Sequence, residues 1–296
     1  MNKFTIHGAR GTMPISGREF LKYGGKTTCF SLETDQGVII VDAGTGIVSL
    51  SDTLRQGPDG PPITILFMHF HLDHVIGLPV FVPLYDSQAC ITLMADANRV
   101  DDWQTSLQTI AGAPYWPLNL MKFGSHIQFH SLQDHGAPSQ APGCRQASGA
   151  QTDAQLKEQT GEMELYGTHI SWCRVQHPQQ CLAFRIKTPE SCIVIATDRE
   201  HGSKKLDECF LEFCRDADFL IYDAQYTPEE YPAHKGWGHG TWLEGTQLVK
   251  DAHVRELILT HHDQLRQDAE IDDMVSRARK VFPKTRGAHA GMVLTE

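Results

Sequence analysis

The sequence predicts an α/β protein whose sheets and helices are stacked as sandwich layers. Short apolar, β-prone runs open the chain and later alternate with helix-length segments, in two comparable halves. Several of those runs end on a histidine or an aspartate, placing metal-competent side chains where strand ends converge on one rim of a sheet.

In chain order, Lys3 to His7 reads as a strand, followed by a loop of small residues, Gly8 to Pro14. Thr27 to Thr34 and Gly37 to Asp42 form a hairpin turned at Asp35-Gln36-Gly37. A helix covers about 47–55, and the apolar run Ile63 to Met68, bounded by Pro61-Pro62, is a buried strand. A strand near Ile91 to Ala95 and a helix from about Asn98 to Ile110 follow. Ala113 to Pro117 is an aromatic, turn-prone loop. From about 134 to 161 the composition shifts to Gln, Ser, Ala, Gly and Pro, which predicts a flexible insertion in a single domain spanning 1–296. Strands return at Met163 to Val175, Cys181 to Thr188 and Ser191 to Thr197. Then come a helix (about 203–214), the strand Asp218 to Asp223, a helix near 241–251, the strand Glu256 to Thr260 and a helix near 268–281.

A net charge of -10 argues against a broad electrostatic footprint for nucleic acid. The eight cysteines include no C-x-x-C pair, and several sit inside apolar runs, so they read as small buried hydrophobes in a reducing, cytoplasmic setting. No run reaches transmembrane length and the first residues carry no apolar signal core.

Chemistry concentrates in His69-Phe70-His71-Leu72-Asp73-His74, directly after the Ile63 to Met68 run. One such histidine would be a packed or surface residue. Three imidazoles and a carboxylate in six residues offer two ligand groups, His69/His71 and Asp73/His74, of the nitrogen and oxygen types that zinc takes. Asp42, at the end of an earlier strand, suits a group bracing that loop or an N-cap for the helix near Ile47. Further donors end other apolar runs: His177, Asp198, and His261 with His262 beside it.

H-x-H-x-D-H is the signature of the metallo-β-lactamase superfamily, which this chain resembles over nearly its whole length. The resemblance implies a four-layer αββα sandwich with two metals, zinc or manganese, at the edge where the sheets meet. The order His177, Asp198, His261 matches the superfamily's later motifs. It implies one metal on His69, His71 and His177, and another on Asp73, His74 and His261. Asp198 would bridge them, its two oxygens serving two cations. Leu-Thr-His in this family favours His261 over His262 as the ligand.

Asp223, at the end of a strand, precedes Gly238-His239-Gly240-Thr241-Trp242. That pairing is similar to the acid and G-H-S/T turn of ribonuclease Z-like phosphodiesterases, and it implies a catalytic set of Asp73, His239 and Asp223. His239 would be the proton donor to a leaving alkoxide, supported by Asp223. The alternative is a helix start capped by Thr241 with His239 merely exposed. Gly11 to Pro14, Tyr23 to Gly25 and Tyr222 to Tyr231 carry the likeness toward cyclic nucleotide phosphodiesterases of the anti-Pycsar type. The implied activity is cleavage of a cyclic nucleotide or similar small cyclic phosphodiester by hydroxide formed on two zinc ions, with a homodimer as the assembly and no nucleic-acid or membrane partner. Three alternatives stand beside it. They are an RNA 3′-processing nuclease, a phosphoribosyl cyclic phosphate phosphodiesterase, and a protein that sequesters nucleotides. Residues 15–25 lack the cysteines of the second alternative, and Gly240 replaces the usual Ser.

Overall fold

A computed structural model describes residues 2–51, 53–54, 57, 59–96, 103–132, 160–179 and 181–294. The first half contributes β1 (Lys3–Gly8), β2 (Cys29–Glu33), β3 (Val38–Val41), β4 (Ile63–Leu66), β5 (Cys90–Ala95) and β6 (His126–Ser131). The second contributes β7 (Thr160–Leu165), β8 (Thr168–Val175), β9 (Cys181–Lys187), β10 (Cys192–Ala196), β11 (Phe219–Asp223), β12 (Glu256–Thr260) and β13 (Thr285–Gly287). The last strand, β14 (Met292–Leu294), returns to the first sheet beside β1, giving the orders β14-β1-β2-β3-β4-β5-β6 and β13-β12-β11-β10-β9-β8-β7.

Each sheet is antiparallel at one end and parallel at the other. The β1–β2–β3 ladder is antiparallel and β3 to β6 run parallel. Likewise β7 to β10 are antiparallel and β10 to β13 parallel. Central strands are buried on both faces, so their sequences are continuously apolar rather than alternating. In β3, Ile39 and Val41 enter the core between the sheets, while Val38 and Ile40 face outward. There they meet Leu50 of α1 (Ile47–Ser51) and Leu107 of α3 (Trp103–Ile110), with the four-residue α2 (Leu72–Val75) lying between those helices in sequence. The far side of the second sheet is covered by α4 (Lys204–Cys214), then, beyond the short α5 (Tyr231–His234), by α6 (Trp242–Asp251) and α7 (Asp268–Val281). The result is the expected αββα sandwich.

Parallel pairing decides where the chemistry goes. Parallel neighbours run in one direction, so their C-terminal ends share a rim. Register pairs Ala196 with Tyr222 and Asp223 with Thr260, which sets Asp198, Asp223 and His261 side by side. In the facing sheet Val41 pairs with Leu66, setting Asp42 beside the approach to His69. Asp42, Asp198 and His261 all take left-handed backbone conformations, with φ of 60°, 55° and 55°. Asp and His tolerate this region better than most residues, and the bend turns each strand end into its loop.

Most predicted elements appear within a few residues of their expected bounds. The run Met163 to Val175, expected as one strand, is a hairpin of β7 and β8 folded at Tyr166-Gly167, where φ is 52° and 71°. A tyrosine in the left-handed region is a turn no residue preference announces. Strands β6, β13 and β14 went unread because they are short or polar. Residues 98–102 of the helix expected from about Asn98 to Ile110 and 134–159 of the expected insertion lie outside the described residues, and 160–161 belong to β7.

His7 on β1 is buried, with a ring nitrogen 2.8 Å from the Ser31 hydroxyl. Burial, then Lys3 and Lys26, lowers its pKa from 6.5 to about 4. The unfolded chain therefore takes up this proton first. Its contribution to stability is full above pH 6.5 and is lost as pH falls through about 4, on the order of 3 kcal/mol. Urea unfolding across that window should show a shallower pH slope for His7→Gln than for wild type; equal slopes would remove His7 as the cause.

Candidate metal centre

The chain leaves β4 and runs through His69 and His71 into α2, where the helical turn presents Asp73 and His74. All seven expected ligands meet at one rim. His69, His71, His177 and Asp198 form one group of close donor atoms, and Asp73, His74 and His261 form another. A third, Asp198, Asp223, His239 and His261, brings the expected acid pair against the same place.

Asp198 sits at the centre. Its Oδ2 lies 3.0 Å from His74 Nε2 and 3.3 Å from His261 Nε2, and its Oδ1 lies 3.7 Å from His69 Nε2. Asp73 Oδ2 is 3.2 Å from His261 Nε2 and 3.4 Å from His74 Nε2. On the other side His177 Nε2 and His71 Nδ1 approach to 3.2 Å, and the His69 ring is 4.5 Å from that of His71.

His177 with His71 and His261 with Asp73 have hydrogen-bond geometry, but the short contacts of Asp198 Oδ2 do not. Asp198 Oδ2, His74 Nε2 and His69 Nε2 are buried, and among the described residues none has a hydrogen-bond partner. Three orphaned donor-competent atoms around one point are costly in a dry interior unless a cation takes their lone pairs. The electrostatics agree. Burial opposes charge on Asp198, yet His261, His74 and His69 hold its carboxyl well below the usual range. Burial also opposes charge on His74 and His261, but neighbouring carboxylates push His74 well above its ordinary value and His261 up to about 9. Burial lowers His69, His71 and His177. One half of the rim thus offers neutral imidazoles, and the other is a carboxylate-rich pocket that attracts positive charge. The donor set fits divalent metal.

Behind these groups stands a second set of contacts. Asp42, fully buried, accepts from Met68 N at 2.9 Å and holds His74 Nδ1 at 2.6 Å. It braces the metal loop and does not cap α1, which begins at Ile47. Thr12 N donates to Asp73 Oδ2 at 2.8 Å. Gln225 Oε1 holds His261 Nδ1 at 2.9 Å, and the Gly238 carbonyl accepts from His177 Nδ1 at 2.9 Å. Gly238 has φ 93°, and a Cβ there would fall 2.1 Å from the His177 ring, so only glycine fits. His262 is turned away. Its Nε2 donates to the Ala288 carbonyl at 3.0 Å, and burial lowers its pKa to about 3.

Asp223 accepts from Asp198 N, Gln225 N and Gly240 N at 2.8, 3.0 and 3.1 Å, and lies 3.0 Å from His239 Nδ1. Thr241 caps α6 by accepting from Glu244 N, so the helix-start reading is also true. The two roles share one turn, and His239 is not merely exposed.

Sequence reading missed two residues here. Gln225 follows Asp223 by two positions, and the only signal was its place inside a quoted stretch. Glu200 is buried and accepts from Gly236 N, Gly238 N and the Tyr231 hydroxyl at 2.7, 2.9 and 2.8 Å. It ties down the turn that carries His239. Nothing in a lone Glu two residues past Asp198 announces that.

Residues 38–262 match the family model described as the beta-lactamase superfamily domain. The chain belongs to that superfamily. Matches to the first curated relatives are short: 89 residues, 30% identical, cover 29% of this chain and 28% of ribonuclease Z from Brevibacillus brevis. Ribonuclease Z from Lachnospira eligens is 25% identical over 96% of this chain and 94% of its own length. Among solved structures, the metallo-β-lactamase fold protein YhfI from Bacillus subtilis superposes with TM-score 0.68 at 18% identity, covering 99% and 98% of the two chains. A diphosphatase of the PhnP family gives 0.66 at 14% (100% and 98%), and zinc-bound PqqB from Methylobacterium extorquens 0.67 at 13% (100% of both). At those identities the likeness establishes the fold.

The expectation that nucleic acid is not a partner is corrected by the near-full-length match to a ribonuclease Z, which makes a nucleic-acid substrate plausible. The net charge was a poor guide because it sums the whole surface, whereas a phosphate would meet the chain at this rim, among imidazoles and any bound cation. Among the described residues no helix is long and apolar enough to cross a membrane.

Asp42→Asn should weaken affinity for a divalent metal by ~10–100-fold, because it disturbs both His74 and the Met68 amide. Chelator competition on the folded variant measures this; unchanged affinity would make Asp42 a fold residue only.

Proposed function

We propose that this protein is a metal-dependent hydrolase that cleaves phosphodiesters, acting on a cyclic nucleotide or similar small cyclic phosphodiester with two zinc ions. The observation that carries this reading is Asp198, whose two oxygens face separate histidine groups while the Asp223–His239 pair lies against it. His69, His71 and His177 would hold one ion, Asp73, His74 and His261 the other, with Asp198 between them. Zinc there would supply Lewis-acid polarisation of a phosphoryl oxygen and an acidified water.

The chain's own residues do the remainder. Thr12 N and His261 fix the orientation of Asp73. With its Nδ1–H directed at Asp223, His239 in its imidazolium form would give the Nε2 proton to a departing alkoxide at the cavity and be left neutral. Asp223 holds that ring and, through Asp198 N and Gly240 N, the backbone on either side. The cavity, of about 410 Å³, is sized for a small ligand or one end of a larger one.

A second reading, RNA 3′-end cleavage, is supported by the ribonuclease Z relatives. A metal-replete screen of cyclic mononucleotides beside a 3′-extended tRNA precursor, with products identified by mass, separates the two. The same preparation should contain about two zinc ions per chain by elemental analysis; full activity with a single equivalent would end the two-metal reading. A homodimer accompanies the proposal, supported by the exposed Tyr115, Leu118 and Met121. Light scattering that gives monomer mass at micromolar concentration would refute it.

His239→Ala should lose ~10²–10⁴-fold in turnover on an alkyl-leaving substrate, keep its zinc, and lose far less on a nitrophenyl phosphodiester. Zinc loss would instead make His239 a ligand, and equal loss on both substrates would assign it to binding. Asp223→Asn should be less clean, reducing metal content as well as turnover, because Asp223 also holds the Asp198 amide.

A further inference from the structure

The cavity beside Asp198 has one aromatic wall. Tyr226, His234 and Trp237 all line it with His239. Tyr226 and His234 are stacked, with ring centroids 4.4 Å apart and planes at 18°, and His234 meets Trp237 edge to face at 4.9 Å. His234 Nδ1 donates to the Glu230 carbonyl at 2.9 Å and Trp237 N to the His234 carbonyl at 3.0 Å, so the stack is anchored. Trp237, its outermost member, is 61% exposed, whereas Trp103, Trp172 and Trp242 are 5–6% exposed. The end of the stack thus presents a large, bare indole at the edge of the cavity.

Its neighbours give it a fixed place. Glu200 accepts from Gly236 N and Gly238 N, on either side of Trp237. His239 stands two residues on, at most about 7 Å along the chain. The indole and the expected proton donor therefore sit on one clamped turn and line the same cavity. From this the geometry points to Trp237 as the platform on which a nucleobase of the substrate stacks, while the phosphodiester lies between His239 and Asp198. This rests on the phosphodiesterase reading and narrows it to nucleoside-bearing phosphodiesters. A π-face accepts any base, so the platform confers class selectivity and little base preference.

The test compares zinc-loaded wild type, Trp237→Leu and Trp237→Phe on adenosine 2′,3′- and 3′,5′-cyclic phosphates and on glycerol 2,3-cyclic phosphate, which has no base. Trp237→Leu should raise KM for the adenosine substrates on the order of 10-fold more than for the glycerol ester. Trp237→Phe should recover most of that difference, and kcat should move little. Adenosine 5′-monophosphate should quench the tryptophan emission of wild type and quench Trp237→Leu less, whereas glycerol 3-phosphate should quench neither. Equal KM shifts on both substrate types, or equal quenching in both proteins, would overturn the platform while leaving the hydrolase reading intact. If wild type hydrolyses none of the esters but its Trp237-dependent quenching persists, the platform stands and the phosphodiesterase reading fails.

Discussion

The structure is organised around one buried carboxylate. Asp198 is 1% exposed, lies within 3.0–3.7 Å of three imidazoles, and leaves one oxygen without a hydrogen bond. Such a group is strongly unfavourable by itself, because an ion in a low-dielectric interior must be paired or must bind a cation. Its position depends on both sheets. β10 delivers it, β12 delivers His261 beside it, and the loop after β4 brings His69 and His74 from the facing sheet. A change that slid either sheet would separate the donors, so the αββα architecture and the site are one constraint.

Three further buried acids hold that arrangement in place: Asp42, Asp223 and Glu200. Each accepts at least one backbone N–H and so fixes a loop as well as a side chain. Asp42 locks the loop after β4, Asp223 ties Asp198 to the His239 turn, and Glu200 clamps that turn from its other side. Hydrogen bonds to carboxylates are the stronger kind, which suits them to holding irregular backbone at a strand rim. The loops here are consequently as defined as the strands they follow, as a preorganised reaction site requires.

The rim also divides by charge. His69, His71 and His177 face one another with burial keeping them neutral, while His74 and His261 sit among Asp42, Asp73, Asp198 and Asp223. The asymmetry gives two different donor environments on one bridging residue. One wall of the cavity is aromatic, from Tyr226 through His234 to Trp237. A ligand entering here meets cation-binding groups at depth and π-faces at the mouth.

Much of this was legible from residue order. The clustering of His69, His71, Asp73 and His74 is a local signal, because ligands within one span of six residues need no folding to be seen together. The apolar runs ending in Asp198, Asp223 and His261 were legible as strands, since burial on both faces demands continuous β-prone hydrophobes. The Leu-Thr-His resemblance favoured His261 over His262, but residue chemistry by itself left that choice and the contacts across the fold open. His261 and His262 are chemically identical in the chain. Only the bend at His261, with φ 55°, turns one ring to Asp198 and sends the other to the Ala288 carbonyl. Asp42 was expected to brace the metal loop, with an N-cap as the competing role, and His74 2.6 Å away decides for the brace. Gln225, Glu200 and the Tyr226–His234–Trp237 wall carried no usable signal, because their roles arise from long-range proximity, which spacing along the chain does not encode. Composition and motif determined the fold and the kind of chemistry. The tertiary structure decided which atoms meet, because parallel register and left-handed strand ends set side-chain direction.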